Sequence, residues 1–148
     1  MCWVGKCSMK IAERDFYVYK LGRVSDRGFR SLYQNFIYIP GVLNDEVKMR
    51  PIIHNYSIYK LFEEQYGMIH EGYHSYKDIT MPYYNVGPHS RIIYLGRIAE
   101  DIRLPSIYSI ATFIIPKGSR YYENDNGEIV SSNIIYTGKY VKIGNSEE

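Results

Sequence analysis

The stretch IYSIATFIIPKGSRYYENDNGEIVSSNIIY, residues 107–136, decides the fold predicted for this chain. Ile110–Ile115 is apolar on both faces and rich in β-branched residues, which predicts an interior strand. Pro116 has no amide donor and Gly118 tolerates the positive φ of a type II turn, so a sharp corner is expected next. Asn126-Gly127 predicts a hairpin, and the polar residues before it indicate a loop longer than two residues. The stretch therefore indicates consecutive antiparallel strands.

Shorter segments elsewhere continue this β pattern. The alternation in Phe16–Lys20 predicts a strand with Phe16 and Val18 on one face and two tyrosines on the other. Pro40-Gly41 is a turn signature and ends another apolar run. Further predictions are strands at Phe36–Ile39, Ile92–Leu95 and Tyr140–Ile143 and a charged loop at Gly22–Ser31.

One helix is predicted, from about Ile52 to Tyr66. Its apolar residues follow a 4-3-3-4 spacing, which draws a single helical stripe. Pro51 precedes this segment and Gly67 follows it, as at typical helix ends. The predicted fold class is therefore α+β: one β-rich domain over residues 1–148, with a mostly antiparallel sheet or partly open barrel and one or two short helices.

Composition limits the function classes. The 148 residues carry a net charge of +2 with both signs interspersed, which argues against a duplex nucleic-acid partner. Cys2 and Cys7 are too few for a disulfide framework and suit a reducing compartment. There is no signal-peptide pattern and no apolar run long enough to span a membrane, so we expect a cytoplasmic protein without a membrane partner. Seventeen tyrosines suit sheets with one wet face and also binding surfaces.

The segment His70–His74 reads HEGYH and satisfies the H-E-x-x-H pattern of zinc hydrolases. In that pattern two histidines one helical turn apart bind zinc, and the glutamate is the general base. The geometry requires a helix, whereas Gly67 and Gly72 favour a strand or turn here. A third ligand is also needed, with His89 or Glu100 as candidates. We therefore predict no metal site and structural histidines, and keep a zinc hydrolase as an alternative.

Three stretches, EGYHSY at 71–76, IIPKGSRYY at 114–122 and GEIVS at 127–131, carry a resemblance. With its Met-Cys start and an early aromatic-Val-Tyr-Lys strand, the chain resembles a group of small uncharacterised proteins encoded by phages, conjugative elements and genomes of gut bacteria. The resemblance spans most of the chain and implies no activity. The shared motif begins at the glutamate of EGYHSY, which leaves His70 outside it and implies that the H-E-x-x-H string is accidental.

A second likeness is to the ADP-ribosyltransferase fold. His74-Ser75, Tyr83-Tyr84 and Glu128 follow the order in which that fold places a histidine and tyrosines around nicotinamide and a glutamate at the ribose. The distance from His74 to Tyr83 is shorter than usual in that fold, and no glycine follows the histidine. The likeness implies a transferase site of His74, Tyr84 and Glu128, an enzymatic alternative argued by analogy alone.

The candidate ligand-binding residues are His74, Lys117, Tyr121 and Tyr122. A histidine titrates near neutral pH, and a lysine in a Pro-Gly turn offers a cation. Adjacent tyrosines on a strand point to opposite faces, so one should face the site and the other should be core. Because the motifs are turns and aromatic strands, they predict binding without catalysis or cofactor. The expected protein is a binding module of a mobile genetic element that engages a host protein or a small anionic or nucleotide-like ligand.

Overall fold

A computed structural model of the full chain describes residues 3–31, 36–54, 66–79, 93–94, 97–98 and 108–142. Within these ranges the protein consists of strands joined by turns and extended segments, and no helix occurs. The same ranges contain no helix whose length and apolar character would let it cross a membrane. The strands are β1 (Trp3–Lys6), β2 (Lys10–Ile11), β3 (Phe16–Ser25), β4 (Gly28–Ser31), β5 (Ile37–Tyr38), β6 (Ile52–His54), β7 (Tyr66–Ile69), β8 (Tyr73–Tyr76), β9 (Ile93–Tyr94), β10 (Arg97–Ile98), β11 (Tyr108–Ile115), β12 (Arg120–Glu123), β13 (Glu128–Ser131) and β14 (Ile135–Lys142).

Most of these strands belong to one nine-stranded sheet. Seven of them follow the order β14-β11-β3-β8-β13-β12-β2, and β4 and β5 extend from the second edge of β3. A separate three-stranded sheet has the order β1-β7-β6, and β9 pairs with β10. Every pairing between these strands is antiparallel, which confirms the β-rich, antiparallel part of the predicted fold class.

The interior strand predicted at Ile110–Ile115 is confirmed. It lies within β11, which pairs along its whole length with β3 and on its other side with β14. Phe113 is fully buried, and its ring packs against three other aromatic rings of the core at centroid distances of 5.0 to 5.5 Å. Those rings belong to Phe29, Tyr38 and Tyr136. The core is therefore an aromatic cluster on one face of β11, lined also by β3, β4, β5 and β14.

The sheet curves back toward β14 without closing. After β5 the chain passes β14 and makes two isolated bridges to it, Pro40 with Tyr136 and Leu43 with Ile135. The amide of Gly41 also donates to the carbonyl of Tyr136 (2.8 Å). Because these are single bridges and not a continuous ladder, the described strands do not form a closed barrel.

The helix predicted from about Ile52 to Tyr66 is wrong where the structure describes it. Ile52–His54 forms β6 and Tyr66 begins β7, while residues 55–65 lie outside the described ranges. A Cβ on Gly67 would lie 2.4 Å from the carbonyl oxygen of Ile52. Gly67 therefore does not end a helix; it allows β6 and β7 to approach each other. The short helices of the predicted fold class are accordingly not seen in the described residues.

The charged loop predicted at Gly22–Ser31 is also wrong, because this segment is a hairpin. Strand β3 continues to Ser25, and β4 begins at Gly28 after a two-residue turn. A Cβ on Gly22 would lie 2.1 Å from the carbonyl oxygen of Arg30. The glycines of this segment do not mark a loop; they permit close contact between paired backbones.

The turns of the deciding stretch follow the prediction. Gly118 has a φ of 90° in the corner between β11 and β12, and Gly127 has a φ of 78° before β13. Residues 124–127 join β12 to β13, which is longer than a two-residue turn. The side chain of Asn124 holds this loop: its Oδ1 accepts from the amides of Asn126 and Glu128, both at 3.0 Å. Strands β12 and β13 therefore form the predicted hairpin.

Candidate functional site

Tyr121 and Tyr122 of β12 face opposite sides of the sheet. The ring of Tyr122 is buried against Trp3, with centroids 5.7 Å apart, in a small cluster that includes Ile69 and Val130. The ring of Tyr121 is half-buried and packs against Phe16, with centroids 5.1 Å apart. The prediction that one tyrosine belongs to the core is confirmed for Tyr122. Tyr121 is partly exposed and also packs against the main core cluster, so its role in a site stays a prediction.

A cleft of about 590 Å³ opens beside Tyr121. It is lined by residues of the paired strands β2 and β12, of β13, of the connection from β2 to β3, and by the residue after β8. The cleft carries aromatic rings, cations and carboxylates. The lining residues are Lys10, Ile11, Ala12, Glu13, Arg14, Phe16, Lys77, Tyr121, Glu123 and Ile129.

Glu123 lies between two cations of this cleft. Its Oε2 is 3.3 Å from the Nζ of Lys77, and its Oε1 is 3.9 Å from the Nζ of Lys10. Burial raises the pKa of the nearby Tyr121, the negative charges of Glu123 and Glu13 raise it further, and Lys77 opposes the shift. Tyr121 therefore keeps its proton at neutral pH, so its hydroxyl can donate a hydrogen bond while its ring offers a stacking surface.

His74 lies on β8 and is buried on the face opposite to Tyr121. Its register partner is Val130, which is also the partner of Tyr122, so the three side chains share one face. The Nε2 of His74 donates to the carbonyl of His70 (3.2 Å). Burial lowers the pKa of His74 to about 4; the bond to His70 opposes this shift, and the charge of Lys20 adds to it. His74 is therefore a neutral imidazole at physiological pH.

The HEGYH segment is not helical. His70 and Glu71 follow β7, Gly72 has a φ of 118°, and His74 lies within β8. The expected strand or turn is thus confirmed, and the two histidines do not sit one helical turn apart. Among the described residues, no group of three or more histidine, cysteine, aspartate or glutamate side chains could hold a metal ion. His89 and Glu100 lie outside the described ranges.

A buried lysine that local sequence patterns did not predict, Lys20, contacts the backbone of His74. Lys20 of β3 is buried, its Nζ donates to the carbonyl of His74, and it lies over the rings of Tyr38 (5.4 Å) and Phe113 (5.9 Å). Burial lowers the pKa of Lys20 to about 7. The hydroxyls of Tyr38 and Ser75 are buried without a hydrogen-bond partner among the described residues. Strand alternation could have revealed Lys20, because it shares the inward face of Phe16 and Val18.

Lys117 lies apart from the cleft at Tyr121 and from the buried surroundings of His74. It is exposed in the corner after β11, where its backbone amide donates to Oδ1 of Asp15 (2.7 Å). It does not line the cleft. The structure thus puts Tyr121 in the cleft, His74 and Tyr122 on the opposite face, and Lys117 in a turn. A functional role for this set stays a prediction, with Tyr121 as the member that lines the cleft.

The residues of the transferase analogy are described in part. Glu128 of β13 pairs with Tyr76 and lies diagonally across from His74 on the same face. The Oε1 of Glu128 accepts from Nδ2 of Asn124 (2.7 Å), so this carboxylate is already engaged. Tyr83-Tyr84 lies outside the described residues.

Cys7 has a structural environment. Its side chain is half-buried against the cluster of Trp3 and Tyr122, and burial raises the pKa of its thiol. A thiol held in the protonated form is a weak nucleophile, so Cys7 acts as a small apolar side chain.

No family model matches the chain, and no curated protein and no solved structure matches it either. A function must therefore be argued from the geometry of the described residues. In that geometry the cleft at Tyr121 combines open volume, an aromatic ring and charged side chains.

Proposed function

We propose that the protein is a non-catalytic binding module whose cleft at Tyr121 binds a small, ring-bearing anion such as a nucleotide. The observation that carries this proposal is the cleft itself. Its volume of about 590 Å³ falls within the range of small-molecule sites. It presents two aromatic side chains, Phe16 and Tyr121, beside the cations Lys10, Arg14 and Lys77.

Each kind of side chain in the cleft would bind a different part of the ligand. The ring of the ligand stacks on Tyr121, whose other contacts to Phe16 hold it in place. A base stacked on an aromatic side chain contributes about 1 to 3 kcal/mol of binding free energy. The anionic group meets the ammonium groups at the rim. Ile11, Ala12 and Ile129 supply the apolar surface that the body of a ligand needs.

Within the binding class, a host protein is the second candidate partner. The observation that favours it is a run of exposed large apolar side chains close together in sequence: Phe36, Ile39, Val42 and Leu43. Exposed apolar patches often mark protein contacts.

Placing the module in a mobile genetic element rests on the resemblance to phage and conjugative-element proteins.

The enzymatic alternatives predict other results. An ADP-ribosyltransferase acting through His74, Tyr84 and Glu128 would label a protein from NAD, and a zinc hydrolase would retain zinc after dialysis. Neither result is expected from a binding module, and either one would replace this proposal.

Calorimetric titration with adenosine 5′-monophosphate tests the proposal. Adenosine and inorganic phosphate supply the ring and the anion separately, so both should bind more weakly than the nucleotide. Tyr121→Ala should weaken nucleotide binding about tenfold or more, because it removes the stack. Tyr17→Ala is the matched control, since Tyr17 is 61% exposed on the outer face of β3 and does not line the cleft.

Both variants are first checked for an unchanged melting temperature. If Tyr121→Ala perturbs folding, Arg14→Met replaces it, because Arg14 is exposed and lines the same cleft. Equal affinity of wild type and cleft variants, or no binding of any nucleoside monophosphate in the millimolar range, would show that the cleft is not the site.

A further inference from the structure

We infer that the anionic group of a cleft ligand binds between Lys10 and Lys77 by displacing the carboxylate of Glu123. Glu123 therefore competes with the ligand for these two lysines and sets the affinity and selectivity of the site. The inference rests on the proposed function. In the structure the carboxylate of Glu123 occupies the space that a ligand anion would need, with one oxygen toward each ammonium group, at 3.9 Å from Lys10 and 3.3 Å from Lys77.

The two cations are brought there by strands that are distant in sequence. Lys10 of β2 is the register partner of Tyr121 on β12, so its position along β12 is defined by the ladder. Lys77 follows β8, and its amide donates to the carbonyl of Gly127 (2.8 Å), which anchors its backbone beside the hairpin loop. Glu123 lies two residues after Tyr121 and therefore on the same face of β12. The carboxylate thus sits between two cations whose backbones are held independently of it.

The exposure of the three side chains favours exchange over a permanent ion pair. The side chains of Lys10 and Lys77 are 54% and 61% exposed, whereas that of Glu123 is 21% exposed. Ion pairs with such exposed partners contribute little to stability, so breaking them to admit a ligand costs little. A phosphate monoester carries more negative charge than a carboxylate and offers an oxygen to each lysine, which makes it the stronger partner.

The position of Glu123 relative to Tyr121 also matches a ligand with two recognition groups. Residues two apart on a strand are separated by roughly 7 Å along the strand axis. A ligand whose ring lies on Tyr121 can therefore place an anionic group at the position of Glu123. Once displaced, Glu123 remains close to the bound anion and repels it, and Glu13 is a second carboxylate of the same cleft. The chemical class that fits is a nucleoside monophosphate or another aromatic ligand with one strongly charged anionic group.

Titration of Glu123→Gln with adenosine 5′-monophosphate tests the inference. The amide is nearly the same size but does not compete for the lysines or repel the ligand, so affinity should rise about tenfold over wild type, equivalent to about 1.4 kcal/mol. Lys10→Met and Lys77→Met should each weaken binding. Lys139→Met is the matched control, because Lys139 is a lysine of β14 outside the cleft, and it should leave affinity unchanged.

The outcomes separate this inference from the proposed function. If wild type binds the nucleotide and Glu123→Gln binds it equally well or more weakly, Glu123 is not a competitor and the inference is wrong while the site stands. If wild type, Glu123→Gln and Lys139→Met all fail to bind, the proposed function itself fails and the inference fails with it. Inorganic phosphate provides an internal check, since its weak binding should also strengthen in Glu123→Gln.

Discussion

Lys20 shows at the scale of a single residue how an inward position in a strand overrides side-chain polarity. Its Nζ contacts the carbonyl of His74 and the faces of two aromatic rings. The carbonyl and the ring faces attract the ammonium group, but burial disfavours this form more strongly, because removing a charge from water is costly. The burial that lowers the pKa of Lys20 to about 7 therefore also makes folding depend on pH.

We expect stability to rise with pH between about 7 and 9.5. The pKa of Lys20 falls from 10.5 in the unfolded chain to about 7 in the folded protein, so the unfolded chain binds more protons across this window. The free energy of unfolding should increase by about 3 kcal/mol from pH 7 to pH 9.5. Urea denaturation at a series of pH values measures it, and Lys20→Met should remove most of the rise.

Other groups modify this profile. The pKa of His74 is lowered to about 4, so its contribution changes mainly below pH 7. Burial raises the pKa of Cys7 and of Tyr38, so these two groups oppose the rise toward the upper end of the window. Lys139→Met serves as the control because the side chain of Lys139 is exposed and is not part of the aromatic core around Lys20. A flat profile of the wild type, or the same rise in Lys20→Met, would mean that Lys20 is not the group responsible.

At the scale of elements, the hairpin of β3 and β4 depends on close backbone contact at Gly22. Strand β3 is flanked by β11 on one side, while its second edge pairs with β8 through Tyr19 and Tyr76 alone and with β4 from Gly22 onward. The hairpin also carries Phe29 into the aromatic core. A side chain at Gly22 would therefore disturb both the strand pairing and the core.

Gly22→Ala should destabilise the protein more than Gly118→Ala. The added methyl group at Gly22 would lie 2.1 Å from the backbone oxygen of Arg30 and 2.7 Å from the ring of Phe29, and we expect a loss of about 3 kcal/mol. At Gly118 nothing lies within 4 Å of the position that a methyl group would take, and the positive φ of 90° alone should cost about 1 kcal/mol. Urea denaturation midpoints compare the two variants. An equal or larger loss in Gly118→Ala would contradict this explanation of the hairpin.

The sequence predicts correctly those strands and turns that are determined by the residue types within them. Ile110–Ile115 is a strand because apolar, β-branched residues fill both faces, and Asn126-Gly127 turns because glycine accepts a positive φ. The segment beginning at Ile52 departs from its predicted helix because its helical spacing competes with β-branched residues that pair with β7. Whether this segment forms a helix or a strand depends on its pairing with another strand, β7. The residues of the segment alone do not show that pairing.

At the scale of the whole molecule, the candidate site depends on the pairing order of the sheet. Tyr121 could be predicted because adjacent tyrosines on a strand must face opposite ways. The rest of the cleft could not, since Lys10 and Lys77 meet Glu123 through the pairings of β2 with β12 and of β13 with β8. The same pairings place His74 and Tyr121 on opposite faces of the sheet. The sequence motifs that contain these residues do not reveal that arrangement.

The proposed function requires that the cleft at Tyr121 bind a small, ring-bearing anion. An NMR titration of the uniformly labelled wild-type protein with adenosine 5′-monophosphate tests it most directly, because every backbone amide reports at once. We predict the largest chemical-shift changes at Lys10–Phe16, Lys77 and Tyr121–Glu123. In Tyr121→Ala these changes should require about tenfold more nucleotide or more. Saturable shifts confined to another surface, such as residues 36–43, or no saturable shifts at all, would contradict it.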